Sequence, residues 1–203
     1  MLKEQCPDII CLAEVDHGSF RNRFRSQAKA LGRRIGIKYV ESASKYGRFS
    51  MLHLLAIIGR QHDAILTNLE GELRRHYFSR GIQRLYFEFL TQGVSVFVVH
   101  LAVFRKKMRR RQLRELAERI RKCPRPYVLC GDFNVHGGVA ELEEFLEKTK
   151  ASLIKTDMTY PSHRPNRTID LFFHGPGIRV KAAGTINVHF SDHLPVWMEF
   201  EKI

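Results

Sequence analysis

The stretch VLCGDFNV, residues 128–135, decides how the rest of the chain is read. An apolar, strand-like run ends abruptly in Asp132 and Asn134, with a glycine just before them. Alternate residues on a strand project from the same face, so this carboxylate and amide converge just beyond the strand end. A hydrophobic core has no use for that. The same G-D-x-N spacing also fits an Asx-type turn capping a helix that begins near Val139, and both readings stand on these residues alone.

Similar apolar runs recur through the chain. They are DIICLA (8–13), MLHLLAIIG (51–59), DAILTNL (63–69), QRLYFEFL (83–90), VSVFVVHLAV (94–103), YVLCGDF (127–133), TIDLFF (168–173) and LPVWMEF (194–200). Read as strands, they suffice for two packed sheets. Helical patterns lie between them at 19–34, in a basic segment at 105–125, and in VAELEEFLEKTKA (139–151), where Val139, Leu142, Phe145 and Leu146 form an apolar stripe. The dipeptide Gln92-Gly93 joins two strand-like runs and predicts a hairpin, hence antiparallel pairing in a mixed sheet system. No internal repeat or linker interrupts the pattern, so the 203 residues are expected to form one domain.

Composition bounds the function. Hydrophobic residues make up 44% and charged residues 27%, as in an ordinary globular protein. No run approaches the roughly 18 apolar residues that span a bilayer. The N-terminus lacks the order of a secretory signal, so a cytoplasmic protein is expected; a monomer is the expected oligomeric state. Cys6, Cys11, Cys123 and Cys130 show no metal-ligand pairing and read as reduced, structural thiols. The net charge of +13 is the strongest bulk signal. Residues 105–125 hold 11 Lys or Arg against two Glu. A helix there would carry a cationic face that attracts nucleic acid, anionic lipid headgroups or polyphosphates, with Arg109 and Arg110 as candidate substrate contacts. The plain alternative is a solvated surface helix.

Several strands end in polar residues able to do chemistry. Glu14 and Asp16 close the first, His100 closes VSVFVVH, Asp132 and Asn134 close VLCGDFN, Asp170 lies early in TIDLFF, and Asp192 and His193 precede the last one. Singly, each has a plain explanation. A terminal acid forms a solvated turn, a histidine in an apolar strand is a satisfied core residue, and an Asp-His before Pro195 makes a turn. Asp170, inside an apolar strand, is costly unless paired, which argues for a nearby partner such as a histidine. Together these residues would form one polar rim.

The ordered set P-D-I-I-C-L-A-E, V-V-H-L, C-G-D-F-N, R-T-I-D and S-D-H-L-P-V resembles the endonuclease/exonuclease/phosphatase superfamily, which includes deoxyribonuclease I, neutral sphingomyelinases, inositol polyphosphate 5-phosphatases and poly(A) deadenylases. The resemblance runs from residue 7 to the C-terminus. It implies an α/β fold: a four-layer α/β sandwich of two mixed β-sheets packed face to face with helices outside. Glu14 then resembles the family's metal-binding glutamate. Asp132 and Asn134 resemble the pair that orients the attacking water and the phosphate. Asp192 and His193 resemble the final Asp-His, with Asp192 as a second metal ligand and Asp170 as the carboxylate that holds His193. His100 resembles the histidine of the deoxyribonuclease I and sphingomyelinase branches, as acid or phosphate contact.

Physical chemistry supports those roles independently. A phosphodiester anion repels hydroxide, so hydrolysis benefits from a divalent cation that polarises a phosphoryl oxygen. Mg²⁺ prefers carboxylate oxygens and retained waters, which suits Glu14, with Mn²⁺ as the substitute. A histidine near its ordinary pKa of about 6.5 can take a proton from water or give one to the leaving oxygen. The expected function is therefore a Mg²⁺-dependent phosphodiesterase, foremost a nuclease. Phospholipid and inositol phosphate substrates, peripheral contact with an anionic membrane, and a catalytically impaired polyanion-binding protein are the alternatives.

Two departures from the family's pattern accompany the resemblance. Family members usually carry one further strand before P-D-I-I, with an asparagine that helps bind metal and phosphate, and the segment before Pro7 holds no counterpart. A glutamate from a neighbouring strand also supports the His100 equivalent in the deoxyribonuclease I branch. Here that region reads SRGIQRLYFEF, leaving Glu70 or Glu72 as substitutes.

Overall fold

The computed structural model describes residues 5–46, 50–55 and 58–203. Among them the largest sheet has six strands, in the order β4-β5-β6-β7-β9-β8. These are β4 (Glu72–Tyr77), β5 (Leu85–Thr91), β6 (Val94–His100), β7 (Tyr127–Asp132), β8 (Ser152–Ile154) and β9 (Asp170–His174). β6 and β7 are parallel and the other neighbours antiparallel, so the sheet is mixed. The opposing layer is in two pieces. One is the antiparallel set β1 (Ile9–Asp16), β3 (Gln61–Thr67) and β2 (Tyr39–Ser44), with β3 central; the other is the pair β10 (Ile178–Thr185) and β11 (Val196–Lys202).

Side-chain alternation explains the stacking. Every residue of β6 is buried, because both of its faces are covered, and this is why VSVFVVH reads as a continuous apolar run. Val96 and Val98 join Phe87, Phe89 and Val128 against Ile65, Ile178, Met198 and Phe200 of the opposing layer. Phe97 and Val99 point the other way. With Leu129 and Phe173 they meet two helices, α2 (Lys106–Arg121) through Leu113, Leu116 and Ile120, and α3 (Glu143–Thr149) through Phe145. Helix α1 (Gln27–Ile35) covers the outer face of the three-stranded sheet through Ala28, Leu31 and Ile35. Each fully buried Phe or Leu contributes about 2–3 kcal/mol of burial, and such side chains recur in both interlayer cores. The result is the expected α/β sandwich, with helices outside two sheets.

The hairpin at Gln92-Gly93 forms as expected. Both residues have positive φ, 48° and 75°, the backbone of a type I′ turn that suits strand twist. Three other expectations are corrected. MLHLLAIIG is not a strand: Met51–Leu54 and Ile58–Arg60 are 3₁₀ turns, and residues 56 and 57 lie outside the described residues. Ser50 Oγ accepts from Leu52 N and starts the first turn, and Met51 and Leu55 are exposed rather than core. The helix expected over 19–34 is confined to α1, because Arg23 and Phe24 adopt left-handed φ and separate it from a single turn at Phe20–Asn22. In the third helical segment Val139 opens a 3₁₀ turn and is exposed rather than part of the apolar stripe.

No helix among the described residues is long and apolar enough to cross a membrane.

Candidate active site

The parallel pairing of β6 with β7 sets the site. In this register Val99 faces Gly131 and His100 faces Asp132. A Cβ at residue 131 would lie 1.9 Å from the Val99 carbonyl oxygen, and its φ is +136°, so a side chain there would push the strands apart. The glycine before Asp132 thus allows His100 and Asp132 to stand side by side. β9 runs antiparallel on the other side of β7 and brings Asp170 opposite Asp132.

Beyond the strand the chain turns sharply. Asn134 has φ of 50°, and its N–H donates to Asp132 Oδ1 at 2.8 Å. The Asn134 amide nitrogen donates to Leu101 O at 3.0 Å and to Asp132 Oδ2 at 3.1 Å. The Asx turn allowed by the sequence therefore exists, and it holds the Asp132 carboxylate in place at the end of β7. Both readings of G-D-F-N apply at once.

Asp132, Asp170 and His193 present ligand-type atoms within 4.8 Å of one another. His193 Nδ1 lies 2.9 Å from Asp170 Oδ2, which also accepts from Thr159 Oγ1 at 2.5 Å. Burial works against the charged ring, but the hydrogen bond to Asp170 and the charges of Asp170, Asp132 and Asp192 prevail and raise its pKa to about 9. His193 is an imidazolium at neutral pH. The Tyr160 ring packs on it, centroids 4.8 Å apart. Asp132 is raised as well, here toward its neutral form. Burial foremost, and then the charge of Asp170, raise its pKa to about 6 against the opposing pull of His100, His193 and the Asn134 N–H.

His100 is buried among carboxylates. Its Nδ1 lies 3.5 Å from Asp63 Oδ1, and its Nε2 lies 3.7 Å from both Glu14 Oε1 and Asp132 Oδ2. Desolvation lowers its pKa, yet the hydrogen bond to Asp63 and the charges of Asp63, Asp132 and Glu14 raise it overall. The acid expected from Glu70 or Glu72 is instead Asp63, reaching from β3 across to the large sheet. Glu72 is paired with Arg74. Gln83 contacts His100 Nε2 at 2.9 Å, and its own carbonyl is held by Gln112 of α2 at 2.7 Å. A charged ring donates from both nitrogens, so the Gln83 amide must then present its oxygen to Nε2.

Glu14 reaches this cluster through a bulge. The β1–β3 register shifts between Leu12 and Val15, and Glu14 takes φ of 56°. Its N–H donates to Asp63 Oδ1 at 3.1 Å, Gln61 Nε2 donates to its Oε2 at 3.2 Å, and Lys45 Nζ donates to its Oε1. Glu14 is exposed, so an ion can approach its carboxylate from solvent.

The structure gathers Glu14, His100, Asp132, Asn134, Asp170 and His193 at one end of the two sheets. Asp192 is not brought into the cluster as a metal ligand. Its exposed carboxylate accepts from Ser191 Oγ at 3.0 Å, and its carbonyl accepts from Ser162 N at 2.7 Å, so it serves the turn and adds negative charge beside His193. Arg109 is corrected as a substrate contact. It is 4% exposed and bonded to Glu141 and to the carbonyls of Ala102 and Val103. Arg110 is exposed but lines the groove between α2 and α3 beside Glu143 and Glu144, in the outer layer. Sequence reasoning missed Lys45, Gln61, Asp63, Gln83, Thr159 and Tyr160. Asp63 alone carried a signal, an acid at the head of an apolar strand.

Oxygen donors around an open carboxylate fit a hard divalent cation. Glu14 is the residue that would hold it, with Asp63 and Asp132 as further carboxylates around His100, at 3.5 and 3.7 Å from its ring nitrogens. His193 spends its Nδ1 on Asp170.

A sandwich whose strand ends converge on carboxylates and two histidines defines a phosphoester hydrolase. The chain belongs to the Endonuclease/Exonuclease/phosphatase family, whose model matches residues 1–193. No curated protein matches its sequence. Among solved structures it is similar to an endonuclease/exonuclease/phosphatase family protein from Leptotrichia buccalis, at 17% identity and TM-score 0.72, covering 98% of this chain and 89% of that one. It is also similar to a mannosyl-6-phosphatase from Bacteroides thetaiotaomicron (19%, TM-score 0.70, 99% and 88%). A third is ANGEL2, a 2′,3′-cyclic phosphatase (15%, TM-score 0.71, 98% and 83%). At such identities these likenesses establish the fold.

Proposed function

We propose that this protein is a Mg²⁺-dependent phosphodiesterase acting on a nucleic-acid backbone. The observation that carries this is the meeting of Asp132, Asp170 and His193 at one strand end, with their ligand-type atoms within 4.8 Å of one another, where the pKa of Asp132 is raised to about 6 and that of His193 to about 9. A carboxylate ionised near neutrality beside a ring still protonated there suits base and acid work.

Asp132 is ionised near neutrality and is held by Asn134, so it takes the proton of the attacking water. His193, kept protonated by Asp170, delivers a proton to the leaving oxygen. His100, held between Asp63 and Gln83, adds positive charge beside the phosphate. Glu14 would hold a divalent ion, whose chemistry would be to polarise a phosphoryl oxygen and offset the charge that builds up there. The net charge of +13 favours a polyanionic substrate, which puts nucleic acid ahead of a small phosphoester. Incubating the protein with plasmid DNA, RNA and bis-p-nitrophenyl phosphate, in Mg²⁺ or in EDTA, tests this. Cleavage of nucleic acid in Mg²⁺ and none in EDTA is the expected result. Equal rates in both would overturn the metal role, and turnover of the small diester alone would overturn the nucleic-acid assignment.

A further inference from the structure

Lys45 is 5% exposed, although lysine is among the residues least often fully buried and is costly to bury unpaired. Its ammonium donates to Glu14 Oε1, on the carboxylate that best suits a divalent ion. The backbone of Lys45 is fixed where the two layers meet. Arg84 N and Leu85 N, entering the large sheet, both donate to its carbonyl, at 2.8 and 3.3 Å, and Tyr46 forms a bridge with Gln83. The Cα is therefore held, and the buried ammonium sits between Glu14 and the Tyr46 ring, 5.4 Å from the ring centroid.

We propose that Lys45 is a resident counter-ion for Glu14 that competes with the divalent cation for this carboxylate and so sets how tightly the metal binds. This rests on the metal role proposed above for Glu14. Glu14, Asp63 and Asp132 all crowd His100, and a fixed positive charge on Glu14 relieves their mutual repulsion. A divalent ion replaces one charge with two and frees the ammonium on the same rim that an anionic phosphoester approaches.

The test is Mn²⁺ binding by isothermal titration calorimetry to the full chain and to Lys45→Met, Lys45→Arg and Glu14→Gln. Coupling of this kind changes affinity by roughly 5–150-fold. Lys45→Met is expected to bind Mn²⁺ about tenfold more tightly, Lys45→Arg to resemble the wild type, and Glu14→Gln to lose the site. Wild-type affinity, or weaker, in Lys45→Met overturns the competition while leaving the metal role of Glu14 intact. Absence of Mn²⁺ binding in the wild type and all variants overturns both. Should Lys45→Met fail to fold, reductive methylation of Lys45 in the wild type, followed by mass spectrometry, decides the matter: Mn²⁺ should accelerate it several-fold, and an unchanged rate overturns the proposal.

Discussion

His193 Nδ1 and Asp170 Oδ2 are 2.9 Å apart, and Thr159 Oγ1 donates to the same carboxylate oxygen. The carboxylate comes from the first residue of β9 and the imidazole from the turn before β11, 23 residues later. Their meeting fixes the ring's orientation and its charge.

This pair makes stability depend on pH. The folded pKa of His193, about 9, lies above its unfolded value of about 6.5, so the pairing stabilises fully below about pH 6.5 and is lost as pH rises through about 9. In the metal-free protein Asp170→Asn should cost about 2 kcal/mol near pH 6, a figure discounted for the ring's partial exposure, and the difference should shrink toward about pH 10. Urea denaturation of both proteins across this range measures it, and a constant gap would contradict the pairing.

Asp63 holds both the Glu14 N–H and His100. Asp63→Asn should weaken the charged form of His100 and lower kcat roughly tenfold, with KM changing less. Steady-state kinetics on a phosphodiester, with circular dichroism to check folding, would show this. A KM effect alone would place His100 outside the transition state.

Arg109 is predicted to act in folding rather than in substrate binding. Removing one member of its buried pair with Glu141 leaves an uncompensated charge, so Arg109→Met should destabilise by about 3 kcal/mol. KM for nucleic acid should stay at the wild-type value. A raised KM with unchanged melting would reverse the assignment.

Gly131→Ala should be among the most damaging single changes outside the cluster. The added methyl meets the Val99 carbonyl oxygen at 1.9 Å in a backbone of positive φ. A loss of about 3 kcal/mol or more is expected from the clash and strain together, read by chemical denaturation. A change below about 1 kcal/mol would show that the β6–β7 pairing adjusts.

Much of this was legible in the sequence because burial on two faces leaves a plain mark. VSVFVVH and YVLCGD are mostly apolar and almost wholly buried since β6 and β7 lie between two layers. Edge strands leave no such mark. β4, ELRRHY, and β2, YVESAS, are half-exposed and polar, and neither stands out from a loop. Within the site, Glu14, His100, Asp132, Asn134, Asp170 and His193 could be read from their places at strand ends. Lys45, Gln83 and Thr159 could not, because their roles depend on which backbones meet across the sheets, as Lys45 O does with Arg84 N. Arg109 misled for a related reason. Its charge suggests exposure, yet Glu141, 32 residues on, turns it inward.

The decisive measurement is the rate at which His193→Ala hydrolyses an oligonucleotide phosphodiester, whose sugar leaving oxygen needs a proton, in Mg²⁺, beside the wild type and at equal folded fraction. A positioned proton donor contributes about 10²–10⁴-fold, so kcat should fall at least about a hundredfold. Hydrolysis near the wild-type rate would contradict the assignment of the Asp132–Asp170–His193 cluster as the catalytic centre.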